Sequence, residues 1–222
     1  MDLTKAEQAA ERAGLELVRD ERGLALTDGA MAVRGDFARM IPRVATNNLH
    51  RELLVKAAKV KAVDAPFAID ATAGLGEDSL LLAAAGFSVR LYERNPVIAA
   101  LLQDALERAA AVPELADAIG RMEFVAGDSE EALPHLERRP DIVLLDPMFP
   151  DKRKSSAVKK KLQLLQKLEQ PCDDEQALLD AALAADPRKV VIKRPAKGPY
   201  LAGRKPDYSL TGKAIRFDCI VN

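Results

Sequence analysis

The sequence predicts an α/β domain, a doubly wound parallel sheet with helices on both faces, carrying a small α+β appendage at its N-terminus. Three observations predict it. Short apolar runs alternate with helical segments from Pro66 onward, the pattern of strands joined by crossover helices. The run Ile142-Val143-Leu144-Leu145 is apolar at every position, as a parallel strand covered on both faces requires. Acidic residues recur where the first four strands end, and ligands bind at that carboxyl edge of such sheets. A chain of 222 residues buries roughly 70% of its extended surface, so it needs no disulfide or metal staple.

Taken in order, Thr4 to Ala13 is a short amphipathic helix stopped by Gly14. Leu15–Val18 and Leu24–Leu26 are strands about the turn Asp20-Glu21-Arg22-Gly23, with a third strand at Ala30–Val33. Residues 1–45 are expected to form the appendage and residues 46–222 the main domain. A helix is expected from His50 to Val60. The main sheet opens with Phe67-Ala68-Ile69 and Asp70, followed by the tight loop to Gly76 and a helix from Glu77 to Ala85 closed by Gly86. Val89–Tyr92 is a strand ending in Glu93. Pro96, suited to a first helical position, starts a helix reaching about Ala111. Met122–Val125 is a strand ending near Asp128, Glu131–Leu136 a short helix, and Ile142–Leu145 a strand closed by Asp146-Pro147. Asp173–Ala185 is a helix, Val190–Ile192 a strand, and Tyr208–Val221 a terminal hairpin around Gly212.

Composition excludes several classes. Apolar residues make up 48% and charged residues 30%, a globular balance. No apolar run reaches the ~20 residues of a membrane span, and the polar N-terminus lacks a signal core, so a cytoplasmic protein is expected. Cys172, Cys219, His50 and His135 are too few and too scattered for a zinc site or a disulfide framework. The net charge is −1, from 33 Lys+Arg against 34 Asp+Glu, which speaks against a general nucleic-acid binder. The charge is segregated, however. Residues 151–171 hold seven bases and two acids, and residues 188–222 hold nine bases and two acids.

The loop Asp70-Ala71-Thr72-Ala73-Gly74-Leu75-Gly76 joins a strand to a helix N-terminus. Its glycines allow a sharp turn and close approach of a ligand. The third glycine of a dinucleotide fingerprint is missing, and Glu77-Asp78 follow, a poor setting for pyrophosphate. Carboxylates there suit a ligand with a cationic amino or sulfonium group, such as S-adenosylmethionine (SAM). Glu93, at the second strand end, is placed to accept ribose hydroxyls, and Asp128 and Ser129 are placed near an adenine amine. Asp146-Pro147-Met148-Phe149-Pro150 is the sharpest feature. Asp146 and the Pro147 carbonyl offer two acceptors for an exocyclic amine, and Phe149 offers a face for a planar base.

The segments Asp70–Gly76, Tyr92-Glu93-Arg94-Asn95-Pro96, Leu145–Pro150 and Val191-Ile192-Lys193-Arg194-Pro195 together resemble the bacterial ribosomal RNA small subunit methyltransferase J family, from about Gly14 to the C-terminus. The resemblance implies a Rossmann-like class I SAM-dependent methyltransferase fold. It implies methylation of N2 of a guanine in 16S rRNA, position 1516 in the usual rRNA numbering. Carried over residue by residue, the cofactor contacts are Glu77, Asp78, Glu93, Arg94, Asp128, Ser129 and Asp146, joined by Asp70, Gly74 and Gly76 from the loop. Asp146, Pro147 and Phe149 form the acceptor site. Lys152, Arg153, Lys154, Lys159 and Lys160 after the acceptor turn, and Lys193, Arg194 and Lys197 on the same sheet edge, are expected to hold RNA phosphates. The expected partner is 16S rRNA or the small ribosomal subunit, bound by a monomer without membrane or metal. Other readings are methylation of another RNA, DNA or a protein amide, or a non-catalytic RNA-binding protein of the same fold.

Overall fold

A computed structural model of the protein describes residues 3–147, 164–165, 167–168 and 174–222. The N-terminal helix α1 (Leu3–Arg12) buries Ala6 and Ala10, one turn apart on one face. A hairpin follows, β1 (Glu16–Asp20) against β2 (Gly23–Thr27), with Val18 opposite Ala25, and β3 (Ala32–Val33) pairs along the other side of β2. Leu24, Leu26 and Val33 pack on Val97, Ala100 and Leu101 of α6 (Pro96–Ala110). The appendage is therefore fastened to a helix of the main sheet. Phe37 and Met40, on the appendage side of the expected boundary, bury in the core of the main sheet.

The helix expected from His50 to Val60 is not continuous. Within it only the short helix α4 (Leu53–Ala57) forms, preceded by two more short helices, α2 (Ile41–Val44) and α3 (Thr46–Leu49). Glu52 interrupts them with extended backbone. Both of its carboxylate oxygens accept from Arg43, at 2.9 and 2.8 Å, and this fork holds the break in place.

The main sheet comprises β4 (Phe67–Asp70), β5 (Ser88–Glu93), β6 (Met122–Ala126), β7 (Ile142–Leu145), β8 (Lys189–Pro195), β9 (Tyr208–Thr211) and β10 (Ile215–Val221). Their order is β6-β5-β4-β7-β8-β10-β9. Strands β4 to β8 pair in parallel, and β10 runs antiparallel between β8 and β9. The crossovers include α5 (Glu77–Ala84), α6, α7 (Pro113–Ile119), α8 (Ser129–Ala132) and α9 (Glu175–Ala184). Helix α7 is additional to the expected elements; Pro113 restarts the chain in a helical turn after α6 ends. Alternate strand residues face alternate cores: Ala68, Leu144 and Val191 join one apolar cluster, and Ile69, Val143, Leu145 and Ile192 the other. The chain order reverses between β4 and β7, and the sheet opens a crevice there at its carboxyl edge.

Candidate active site

The crevice is a cleft of about 1060 Å³. Its floor begins with Asp70, buried at the end of β4. Asp70 Oδ1 accepts from the Thr72 amide at 3.1 Å and Oδ2 from the Ser79 hydroxyl at 2.5 Å. Burial pushes the Asp70 carboxyl up to about 7; those two hydrogen bonds oppose the rise, and the charges of Asp78 and Asp146 add to it. Gly74 and Gly76 both have positive φ, 55° and 78°. Gly76 caps α5, and a Cβ there would lie 2.8 Å from Leu102 Cδ1 and 3.0 Å from Phe37 Cζ. A Cβ at Gly74 would meet nothing within 4 Å, so this glycine leaves open space beside the cleft it lines.

Glu93 reaches the cleft from the end of β5. Its Oε2 accepts from the Gly74 amide at 3.0 Å and its Oε1 from the Asn95 amide at 2.8 Å. The strand-end acid thus locks the glycine loop and is itself held in one orientation. Carboxylate oxygens accept more than one hydrogen bond each, which suits the carboxylate to a ribose diol as well. Asn95 caps α6 by accepting from the amides of Val97 and Ile98. Arg94 lies 3.5 Å from Asp128 and 3.8 Å from Glu130. Burial, followed by the charge of Asp128, raises the Glu130 carboxyl, and Arg94 opposes this. Asp128 accepts from the Glu130 amide at 2.9 Å. Ser129 stands in the cleft wall but gives its hydroxyl proton to the Ala71 carbonyl at 2.8 Å, so its side chain ties the end of β6 to the end of β4.

Asp146 and Pro147 follow β7 into the same cleft. The Asp146 amide donates to Thr72 Oγ1 at 2.6 Å, which fixes the Asp146-Pro147 turn to the glycine loop. The Asp146 side chain is 39% exposed and meets Lys193 Nζ at 2.8 Å. Surrounding protein pushes its carboxyl above the ordinary range, although Lys193 pulls it down. Phe149 lies outside the described residues, as do Lys152, Arg153, Lys154, Lys159, Lys160 and Cys172.

Two basic residues expected to hold phosphates are committed elsewhere. Arg194 is 1% exposed; its guanidinium donates to the Pro199 carbonyl and pairs with Glu175 at 3.1 Å. It braces α9 and the segment after β8 and does not face solvent. Lys193 is 24% exposed and lies between two carboxylates, Asp78 at 2.6 Å and Asp146 at 2.8 Å. It belongs to the cleft interior. Lys197 is exposed on the segment after β8. Conversely, Pro42, Arg43, Asn48, Arg51 and Leu53 line the cleft together with Ile215 and Phe217, which no local pattern points to. Those residues carry no motif, and only the fold brings residues 42–53 to the strand ends.

The donor set fits SAM. Asp70, Asp78, Glu93, Asp128, Glu130 and Asp146 line the cleft, with Lys193, Arg43, Arg51 and Arg94 as its cationic side chains. Net acidity near the loop suits a ligand carrying sulfonium and ammonium groups, and it disfavours pyrophosphate. Among the described residues, no group of three or more His, Cys, Asp or Glu is placed to hold a metal ion, and no helix is long and apolar enough to cross a membrane.

Fold and cleft together define a Rossmann-like SAM-dependent methyltransferase. The profile of a family described as "Putative SAM-dependent methyltransferase" matches residues 3–222. The chain is 44% identical over 223 residues to a ribosomal RNA small subunit methyltransferase J from Thioalkalivibrio sulfidiphilus, covering 96% of this chain and 88% of that one. It is 40% identical to the protein of that name from Pseudomonas aeruginosa, with the same coverage. The chain belongs to the ribosomal RNA small subunit methyltransferase J family. A solved SAM-dependent methyltransferase from Neisseria gonorrhoeae superposes with a TM-score of 0.76 at 34% identity, covering 94% of this chain and 83% of that one.

Proposed function

We propose that the protein methylates ribosomal RNA of the small subunit, transferring the methyl group of SAM to the exocyclic N2 amine of a guanine, the family's position 1516 of 16S rRNA. The observation that carries this reading is the Asp146-Pro147 turn, tied through Thr72 to the loop that closes the donor side of one cleft.

Bound in the cleft, SAM supplies an electrophilic methyl group, whose bond to sulfur breaks with its electron pair passing to sulfur as the nitrogen–carbon bond forms. The protein's task is to present the amine. An amine conjugated to a purine is a weak nucleophile, so placement and charge carry much of the acceleration. Asp146 and the Pro147 carbonyl accept its two N–H groups and aim the nitrogen. As the nitrogen becomes positive, the Asp146 carboxylate stabilises it, takes the proton it loses and passes that proton to solvent. Glu93 and Asp128 hold the adenosine portion by its hydroxyls and amine. Asp70 and Asp78 set an acidic surface near the sulfonium.

Asp146→Ala tests the reading directly. With small ribosomal subunits lacking the modification, transfer is expected to fall by at least ~100-fold, the loss seen when a preorganised polar group is removed from a transition state. Cooperative melting should persist, and the loss should remain at saturating SAM. Native turnover by this variant contradicts the assignment.

A further inference from the structure

Lys193 lies in the cleft and not on the RNA-facing surface. Its ammonium is 2.6 Å from Asp78 Oδ2 and 2.8 Å from Asp146 Oδ2. Asp78 belongs to the first turn of α5 and Lys193 to β8, so the ammonium joins α5, β8 and the turn after β7. The Asp146 backbone is fixed independently by the Thr72 hydroxyl. Asp146 Oδ2 therefore has a cationic partner, and among the described residues Oδ1 has no direct hydrogen-bond partner.

We propose that Lys193 is a positioning residue for methyl transfer: tethered by Asp78, its ammonium holds Asp146 Oδ2 and keeps that carboxylate ionised, so that Oδ1 and the Pro147 carbonyl receive the acceptor amine. The proposal rests on the reading of Asp146 as the acceptor carboxylate. Among the described residues, the charged groups facing Asp146 are Asp70 from β4, Asp78 from α5, and Lys193 and Arg194 from β8. Arg194 is already engaged by Glu175, so Lys193 is the cation in direct contact with Asp146. Three acids crowded around one cation would otherwise favour protonation of one of them. A protonated Asp146 offers an O–H donor where the amine needs an acceptor. Burial works against the Lys193 charge, but Asp78 and Asp146 more than offset it and raise its proton affinity. The ammonium therefore persists across the range in which an enzyme of this kind works. Lys193 touches neither the donor methyl nor the acceptor nitrogen in this scheme; it acts through Asp146.

The experiment is single-turnover methyl transfer to unmodified small subunits across pH 5–9, with native protein, K193Q and K193R. Glutamine keeps hydrogen-bonding capacity without charge, and K193M serves as a second neutral variant should K193Q not melt cooperatively. In the neutral variants the transfer rate is expected to fall about 10- to 100-fold, with little change in the apparent KM for subunits. The acid limb of the pH profile is expected to move up by about one unit or more, because Asp146 loses the cation that favours its charged form. K193R should restore the native limb and most of the rate. SAM affinity should stay the same or tighten, since a cation has left a site for a cation. A native rate and acid limb in the neutral variants overturn the proposal. So does a loss of rate without movement of the limb, which is the signature of a merely structural side chain. Failure of the native protein to form N2-methylguanine overturns the underlying reading of the acceptor instead, and is told apart by the native arm alone.

Discussion

Asp70 shows how one buried carboxyl ties binding chemistry to stability. Its pKa is pushed up to about 7 by burial, while in the unfolded chain it has the ordinary aspartate value. Below about pH 4 the group is neutral in both states and costs nothing. As pH rises toward 7 the unfolded chain ionises first, and stability is lost. Asp70→Asn removes this dependence. In ligand-free protein the variant is expected to be the more stable at pH 8, by up to about 4 kcal/mol, with the advantage vanishing near pH 4. Urea melts at the two pH values measure it; equal pH dependence in both proteins contradicts the assignment. Glu93 makes a sharper test of the donor side. Glu93→Ala leaves the Gly74 and Asn95 amides without their acceptor and is expected to weaken SAM binding by about 1–3 kcal/mol, read by calorimetry. Affinity equal to native removes Glu93 from the ribose role. Asp70, Glu93, Asp128 and Asp146 were legible in the sequence because strand ends are recognisable and a doubly wound sheet brings strand ends to one edge. Lys193 and Arg194, expected on a phosphate-holding surface, pair with carboxylates instead, for a physical reason. A cation's partner decides whether it faces solvent, and Asp78 lies 115 positions away from Lys193.

At the scale of elements, the loop between β4 and α5 holds two glycines with different duties. At Gly76 an added Cβ meets Leu102 and Phe37 as well as an unfavourable φ. Gly76→Ala is expected to cost about 1–3 kcal/mol and to lower Tm. At Gly74 the space is open and only backbone strain remains, about 1 kcal/mol, so Gly74→Ala should melt closer to native. Thermal melts of the two variants check the order, and the reverse order contradicts the packing account. The parallel strands were readable because their apolar runs are bounded by glycine, proline and acids. The broken helices from Ile41 to Ala57 were not. Continuous helical character from His50 to Val60 is a local property, and the Arg43–Glu52 fork that breaks it depends on chain folding back. Helix α7 was hidden by its closeness to α6: only two residues, Ala111 and Val112, separate two helices that read as one and a loop.

At the scale of the whole molecule, the appendage is held by Asp104 of α6. The residue is 5% exposed and accepts from the Leu24 amide at 3.0 Å, Arg19 at 2.7 Å and Arg108 at 2.8 Å. Asp104→Ala leaves a buried amide and two guanidinium groups without this acceptor. A cost of about 2–3 kcal/mol follows, or a fall in Tm of roughly 5–10 °C for a chain of this size. SAM affinity of the folded protein should be unchanged, because α6 contributes to the cleft through its N-terminal end. Loss of SAM binding in a variant that still melts cooperatively contradicts this separation. The appendage matters to the site through position: the chain leaving it contributes Pro42, Arg43, Asn48, Arg51 and Leu53 to the lining of the cleft.

The most direct measurement of the central claim is transfer of isotopically labelled methyl from SAM by the native protein to small ribosomal subunits lacking the modification. Naked 16S rRNA and tRNA serve as comparison substrates, and the product nucleoside is identified by mass spectrometry. The account predicts labelled N2-methylguanine in 16S rRNA, mapping to the family's position. Label in a different nucleoside, or no label in any RNA despite measured SAM binding, contradicts it.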